Sequence, residues 1–136
     1  MGAATQAQLH AELSIAMDRI TRELHNINLK SGSSVAPDIS SVTASSIAWN
    51  NNYSLSLSGG RVMFVDNGSA SAILLDNVTA FSVQTYDESN TALSASLSGS
   101  GCDPIRRIQV QITLVRAGVT ETLRSRLYLR GTMEGA

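Results

Sequence analysis

One amphipathic helix followed only by short alternating strands is the order that most constrains this chain. From about Ala4 to Asn28, the residues Leu9, Leu13, Ala16, Met17, Ile20, Leu24 and Ile27 recur at three- and four-residue steps, which places them on one stripe of a 3.6-residue period. Gln8, Glu12, Asp18, Arg19, Arg22 and Glu23 fall on the opposite side. An apolar stripe must be covered, and only the later strands are available to cover it. At ~1.5 Å per residue such a helix reaches roughly 35 Å, about the width of a small domain, so it is expected to lie along a sheet rather than cap one. Asp18 and Arg22, spaced i,i+4, support it by about 0.3 kcal/mol. Lys30 and Gly32 read as its stop signals, a cation in the last turn and a residue tolerant of positive φ.

After the helix the period changes from 3.6 to 2. The serine-rich stretch 31–46 with Pro37 reads as a connecting loop, with a short edge strand near Val42. Tyr53, Leu55 and Leu57 alternate with serines, Ser58-Gly59-Gly60 turns the chain, and Arg61 to Asp66 returns it. Asp66-Asn67-Gly68 predicts a second tight turn, because Asn-Gly accepts the positive φ values of a type I′ turn. Ala72 to Leu75 and Val78 to Tyr86, with Phe81 and Val83 on one face, continue the pattern up to Asp87-Glu88-Ser89-Asn90.

The last hairpin is the clearest. Ile108, Val110, Ile112 and Leu114 alternate with Gln109, Gln111 and Thr113, and Leu123, Leu127 and Leu129 alternate with Arg124, Arg126 and Arg130. If Ala117-Gly118 is a two-residue turn, Gln109 faces Arg126 and Gln111 faces Arg124 on the wet side, while Ile112 faces Leu123 on the dry side. Ser125 then sits opposite Val110, a small residue where a helix can approach closely. A longer turn would shift every pair.

With 136 residues, 43% of them hydrophobic, the chain has material for one domain with a real core: a helix over 1–30 and an antiparallel β head over 31–136. Charged residues make up 15% and the formal net charge is -1, so no bulk field draws the chain to nucleic acid or an anionic membrane. The charge is nonetheless unevenly placed. Arg106, Arg107, Arg116, Arg124, Arg126 and Arg130 cluster around the last hairpin against Glu121, whereas Asp66, Asp76, Asp87, Glu88 and Asp103 occupy a stretch with no basic residue. This reads either as a solvated sheet face or as complementarity between subunits.

Little in the chain carries chemistry. Cys102 is the only cysteine, so no intrachain disulfide can form, and it reads as a bystander in its loop. His10 and His25 lie too far apart on the helix to share a metal. No nucleophile elbow, phosphate-cradling loop or zinc spacing is present, and no base is placed to activate one of the many serines. No enzymatic activity, cofactor or metal is expected. Asp87-Glu88-Ser89-Asn90 reads as a solvated turn rather than a calcium loop, since it lacks alternating acidic ligands and a distal Glu. Trp49 and Tyr53 read as packing residues, with an aromatic sugar platform as the alternative. No apolar run is long enough to span a membrane.

In their order, the helix segment from Ala16 to Leu24, the segment Leu74-Leu75-Asp76-Asn77-Val78-Thr79-Ala80-Phe81-Ser82-Val83 leading to Tyr86-Asp87, and the closing Ile108-Gln109-Val110 and Leu127-Tyr128-Leu129-Arg130 resemble minor pilins of the W type and J-type pseudopilins. These belong to bacterial type IV pili and type II secretion systems. The resemblance implies an α+β, pilin-like fold, with a long N-terminal helix packed on an antiparallel sheet. It implies a structural subunit taking part in filament assembly, in a tip or priming complex. Its partners would be other minor pilins or pseudopilins and the major subunit, on the bacterial inner membrane and in the periplasm. In that family an apolar half-helix anchors the precursor in the membrane and a leader is cleaved before methylation. The abrupt start Met1-Gly2-Ala3-Ala4 agrees with a helix entered partway, so an apolar upstream segment is expected. Candidate subunit contacts are Asp18 and Arg22 on the helix and Arg107, Arg124, Arg126 and Arg130 on the hairpin. The alternative reading is a secreted adhesin or carbohydrate-binding β domain.

Overall fold

A computed structural model describes residues 2–33 and 35–129. Helix α1 spans Gly2–His25. The strands are β1 (Ile39–Thr43), β2 (Ser46–Trp49), β3 (Tyr53–Ser58), β4 (Arg61–Val65), β5 (Ala72–Leu75), β6 (Val78–Tyr86), β7 (Leu97–Ser98), β8 (Arg107–Arg116) and β9 (Val119–Tyr128). They form a six-stranded sheet in the order β5-β4-β3-β2-β1-β7 and a three-stranded sheet in the order β6-β8-β9. All described pairings are antiparallel.

The pilin-like arrangement expected from the sequence, a long helix laid along one sheet, is not what this chain forms. Nearly half of it, 47%, is strand, and the strands divide into two sheets rather than one beside the single α-helix. Helix first and antiparallel strands afterwards still meets the α+β description loosely. Asn77, with a positive φ of 60°, lies between β5, the outer strand of the first sheet, and β6, which pairs with β8 in the second. The free edge of β6 bonds to hairpin tips instead of a neighbouring strand: Val78 N donates to Gly60 O at 2.9 Å and Val83 N to Ala44 O at 2.9 Å.

Helix α1 packs against β9, β8 and β5. Its predicted stripe is the buried one: Leu9, Leu13, Ile20 and Leu24 are 0% exposed, Ala16 and Met17 4%, and Ile27 7%. Each such leucine or isoleucine contributes about 1.5–3 kcal/mol relative to an exposed position. Buried residues of the helix and of both sheets join in one continuous cluster. On the helix, Arg19 pairs with Glu23 at 2.9 Å and also lies 5.3 Å from the Phe64 ring centre on β4. No helix among the described residues is long and apolar enough to cross a membrane.

The helix ends earlier than Lys30 and Gly32 suggest. His25 is its last residue, and Asn26 and Ile27 close it with N–H bonds to Glu23 O and Leu24 O. Asn50, from the turn after β2, then clamps the exit: its Nδ2 donates to Asn26 O at 3.0 Å and its Oδ1 accepts from Asn28 N at 2.8 Å. A side chain distant in sequence thus satisfies the carbonyl end, where local signals point further on. Lys30 instead forms an ion pair with Asp103.

Two other sequence expectations change. The strand expected near Val42 is β1, but it lies between β2 and β7 and is not an edge, and the chain turns through Ala44 and Ser45 into the unexpected strand β2. Serine at alternate positions hid the apolar period. Asn67 and Gly68 do have positive φ, 54° and 77°, but they belong to a longer connection between Val65 and Ala72. The final hairpin matches its prediction pair by pair: Gln109↔Arg126, Val110↔Ser125, Gln111↔Arg124 and Ile112↔Leu123, closed by Ala117 and Gly118 at φ 52° and 77°.

Candidate functional site

The wet face of the three-stranded sheet carries most of the residues singled out from the sequence. Strand alternation turns Ile108, Val110, Ile112 and Leu114 into the core and sends Arg107, Gln109, Arg124, Arg126 and Tyr128 outward. Arg126 does not extend into solvent. It folds back across β8, donates to Gln109 Oε1 at 3.0 Å and Asn90 Oδ1 at 2.9 Å, and sits 4.0 Å from the Tyr86 ring centre on β6. Arg107 lies 4.8 Å from the ring of Tyr128, its partner in the ladder, and donates to Asp87 O at 2.6 Å and Glu88 O at 2.9 Å. Each stacked guanidinium contributes about 0.5–1 kcal/mol at an exposed site, and each keeps its charge available above the sheet.

Part of the acidic stretch meets cations of the same chain: Asp76 pairs with Arg61 at 2.7 Å and Asp103 pairs with Lys30, while the backbone carbonyls of Asp87 and Glu88 accept from Arg107. Arg124 is different. Among the described residues it is the arginine or lysine with neither a hydrogen bond nor an ion pair.

Asp18 and Arg22 pair with each other at 3.4 Å, with side chains 72% and 68% exposed. Asp18 and Arg124 both line a shallow groove of about 280 Å³, together with Met17, Leu123 and Ser125. The structure therefore brings those two together at one groove, turns Arg107 and Arg126 onto the tyrosines of the same sheet face, and leaves Arg22 on open helix surface. Arg130 lies outside the described residues.

A second surface has no counterpart in the sequence reading. Ile15 is 72% exposed on the helix and Ile73 49% exposed on the outer strand β5. With half-buried Leu74 they line an open groove of about 410 Å³. Its polar wall is a fork: Arg116 Nη1 and Nη2 donate to the two Glu12 carboxylate oxygens at 2.8 and 2.9 Å, and Nη2 also donates to Asn77 Oδ1 at 3.0 Å. The hydrogen bonds from Arg116 hold the Glu12 carboxyl below its ordinary pKa, and the same bonds raise that of Arg116. Glu12, read as a solvated helix residue, is thus a long-range partner. Ile15 was the available signal, an apolar residue off the helix stripe; the Glu12–Arg116 pair spans most of the chain and has no spacing signal.

The remaining candidates are structural in their surroundings. Cys102 is buried, and burial pushes its thiol pKa up, away from the reactive thiolate. Asp87 Oδ1 accepts from Ser89 N and Thr91 N, each at 2.9 Å, so that carboxylate oxygen holds its own turn. Trp49 is 1% exposed and stacks with Tyr53 and Phe64, so its ring packs in the core rather than facing outward. His10 Nδ1 lies 3.9 Å from Glu121 Oε2. Among the described residues no three His, Cys, Asp or Glu side chains converge as a metal site. No known family model and no curated protein matches this chain.

Proposed function

We propose that the protein is a structural subunit of a bacterial filament, a minor pilin or pseudopilin that takes part in assembling a type IV pilus or a type II secretion pseudopilus. The reading rests on the ordered run of resembling residues and on one structural observation, not on a shared fold. That observation is the two-sidedness of α1. Leu9, Leu13, Ile20 and Leu24 fix one side to the body at 0% exposure, while Ile15, at 72%, joins Ile73 in an apolar patch that no described residue covers. An exposed isoleucine pair straddling a helix and an edge strand is the kind of surface a neighbouring subunit covers. The arginine–tyrosine face supplies a second contact, of the composition that dominates protein interfaces. Its partners are other minor subunits and the major subunit, and the membrane attachment is a helical segment upstream of α1, in the inner membrane and periplasm.

The test is assembly in the native cells. Full-length protein with Ile15→Glu and Ile73→Glu should still fold cooperatively with only a small drop in melting temperature, and surface filaments or secreted cargo should fall several-fold. Normal filament numbers and normal secretion with both substitutions in place would contradict the reading.

A further inference from the structure

Strand β9 is the outer strand of its sheet, and its ten residues run in unbroken register with β8, without Gly or Pro. The tight turn closes with Arg116 opposite Val119, so the odd-numbered residues of β9 bond to β8 and the even-numbered ones turn their N–H and C=O outward. Leu129 N donating to Arg106 O at 3.0 Å continues the same parity past the end of the strand. The outward groups belong to Thr120, Thr122, Arg124, Arg126 and Tyr128, all of them exposed. No backbone hydrogen bond among the described residues uses them. At ~3.4 Å per residue this is a row of roughly 27 Å of free donors and acceptors.

Sheets usually protect such an edge by shortness, a bulge, a proline or charge. Here only charge is used, and half of it is withdrawn, because Arg126 folds back onto Tyr86. Arg124 remains, without a hydrogen bond or ion pair among the described residues, at the middle of the row. Below the edge, helix α1 leaves the groove lined by Asp18, with Ser125 small enough to admit side chains.

We infer that β9 accepts an extended segment of another protein chain as a fourth strand, and that this segment carries a carboxylate that meets Arg124. A second copy is the poorer occupant. The symmetric antiparallel register that uses all five outward residues sets Arg124 against Arg124, and like charges directly opposite destabilise a ladder. The edge therefore disfavours itself and favours an acidic strand, in which main-chain bonds provide affinity and the Arg124 contact provides choice. The inference goes beyond the filament reading and does not depend on it.

Amide exchange read by NMR tests it. The probe is a nine-residue peptide alternating valine with glutamate, with its valine–lysine counterpart as control. The glutamate peptide should slow exchange at Thr122, Arg124 and Arg126, and leave Glu121, Leu123 and Ser125, already bonded to β8, unchanged. Arg124→Glu should weaken binding about tenfold and shift preference to the lysine peptide. Three results would overturn the inference: unchanged exchange at millimolar glutamate peptide, equal slowing by the lysine peptide, or slowing with protein concentration alone, which would assign the edge to a second copy. None of these touches the Ile15 test.

Discussion

Ile20 and Ile15 share a helix and a side chain but differ in surroundings, so replacing each with alanine separates what holds the fold from what faces outward. Ile20 is 0% exposed and Ile15 72% exposed. Ile→Ala removes apolar carbons worth about 2.4 kcal/mol at roughly 0.8 kcal/mol per buried CH₂. At Ile20 the helix is pinned between two sheets and the site cannot collapse fully, so a cavity contribution adds to this and the loss should reach about 3–4 kcal/mol. At Ile15 little of that surface is buried, so the loss should stay below about 0.7 kcal/mol, offset further by the better helix propensity of alanine. Urea unfolding followed by far-UV circular dichroism measures both, with equal m-values as the check that the unfolded states compare. A loss below about 1 kcal/mol for Ile20→Ala, or similar losses for the two variants, would refute the placement of the helix.

Three further outcomes follow from local geometry. Glu12 has a lowered carboxyl pKa because of Arg116, so its contribution is complete above the ordinary carboxylate range and is lost as pH falls through the folded-state value; the stability gap between the protein and Glu12→Gln should be present at pH 7 and shrink on acidification, and a gap that widens in acid would contradict the pair. Ala117 holds a φ of 52° in a turn that favours Asn-Gly, so Ala117→Asn should stabilise by about 0.5–1 kcal/mol in thermal unfolding, and a destabilised variant would reject that turn. Buried Cys102 should resist a thiol reagent at pH 8 until denaturant is added; rapid labelling of the folded protein would show that the thiol is reachable.

The parts of the fold legible in the sequence are those where one period runs uninterrupted. The stripe from Leu9 to Ile27 and the register of β8 with β9 needed only spacing and a two-residue turn. Strand β2 was not legible, because Ser46 and Ala48 alternate with Ile47 and Trp49 inside a serine-rich stretch that also suits a loop. The two-sheet division follows from β6 pairing with β8 rather than with β5, a pairing between segments far apart that leaves no local trace. The same holds for the helix end, set by Asn50, and for the Glu12–Arg116 fork. Among the candidate contacts, the alternation correctly put Arg124 and Arg126 outward, yet only the structure separates an arginine stacked on Tyr86 from one without a hydrogen bond or ion pair among the described residues.

The most direct measurement is photo-crosslinking from a benzophenone residue placed at Ile15 of the full-length protein in its native cells. A subunit reading predicts an adduct with another filament subunit, formed in the sheared filament or envelope fraction and absent when the probe replaces buried Leu13. A protein that forms no adduct from Ile15, and that fractionates apart from filament subunits, would contradict the account.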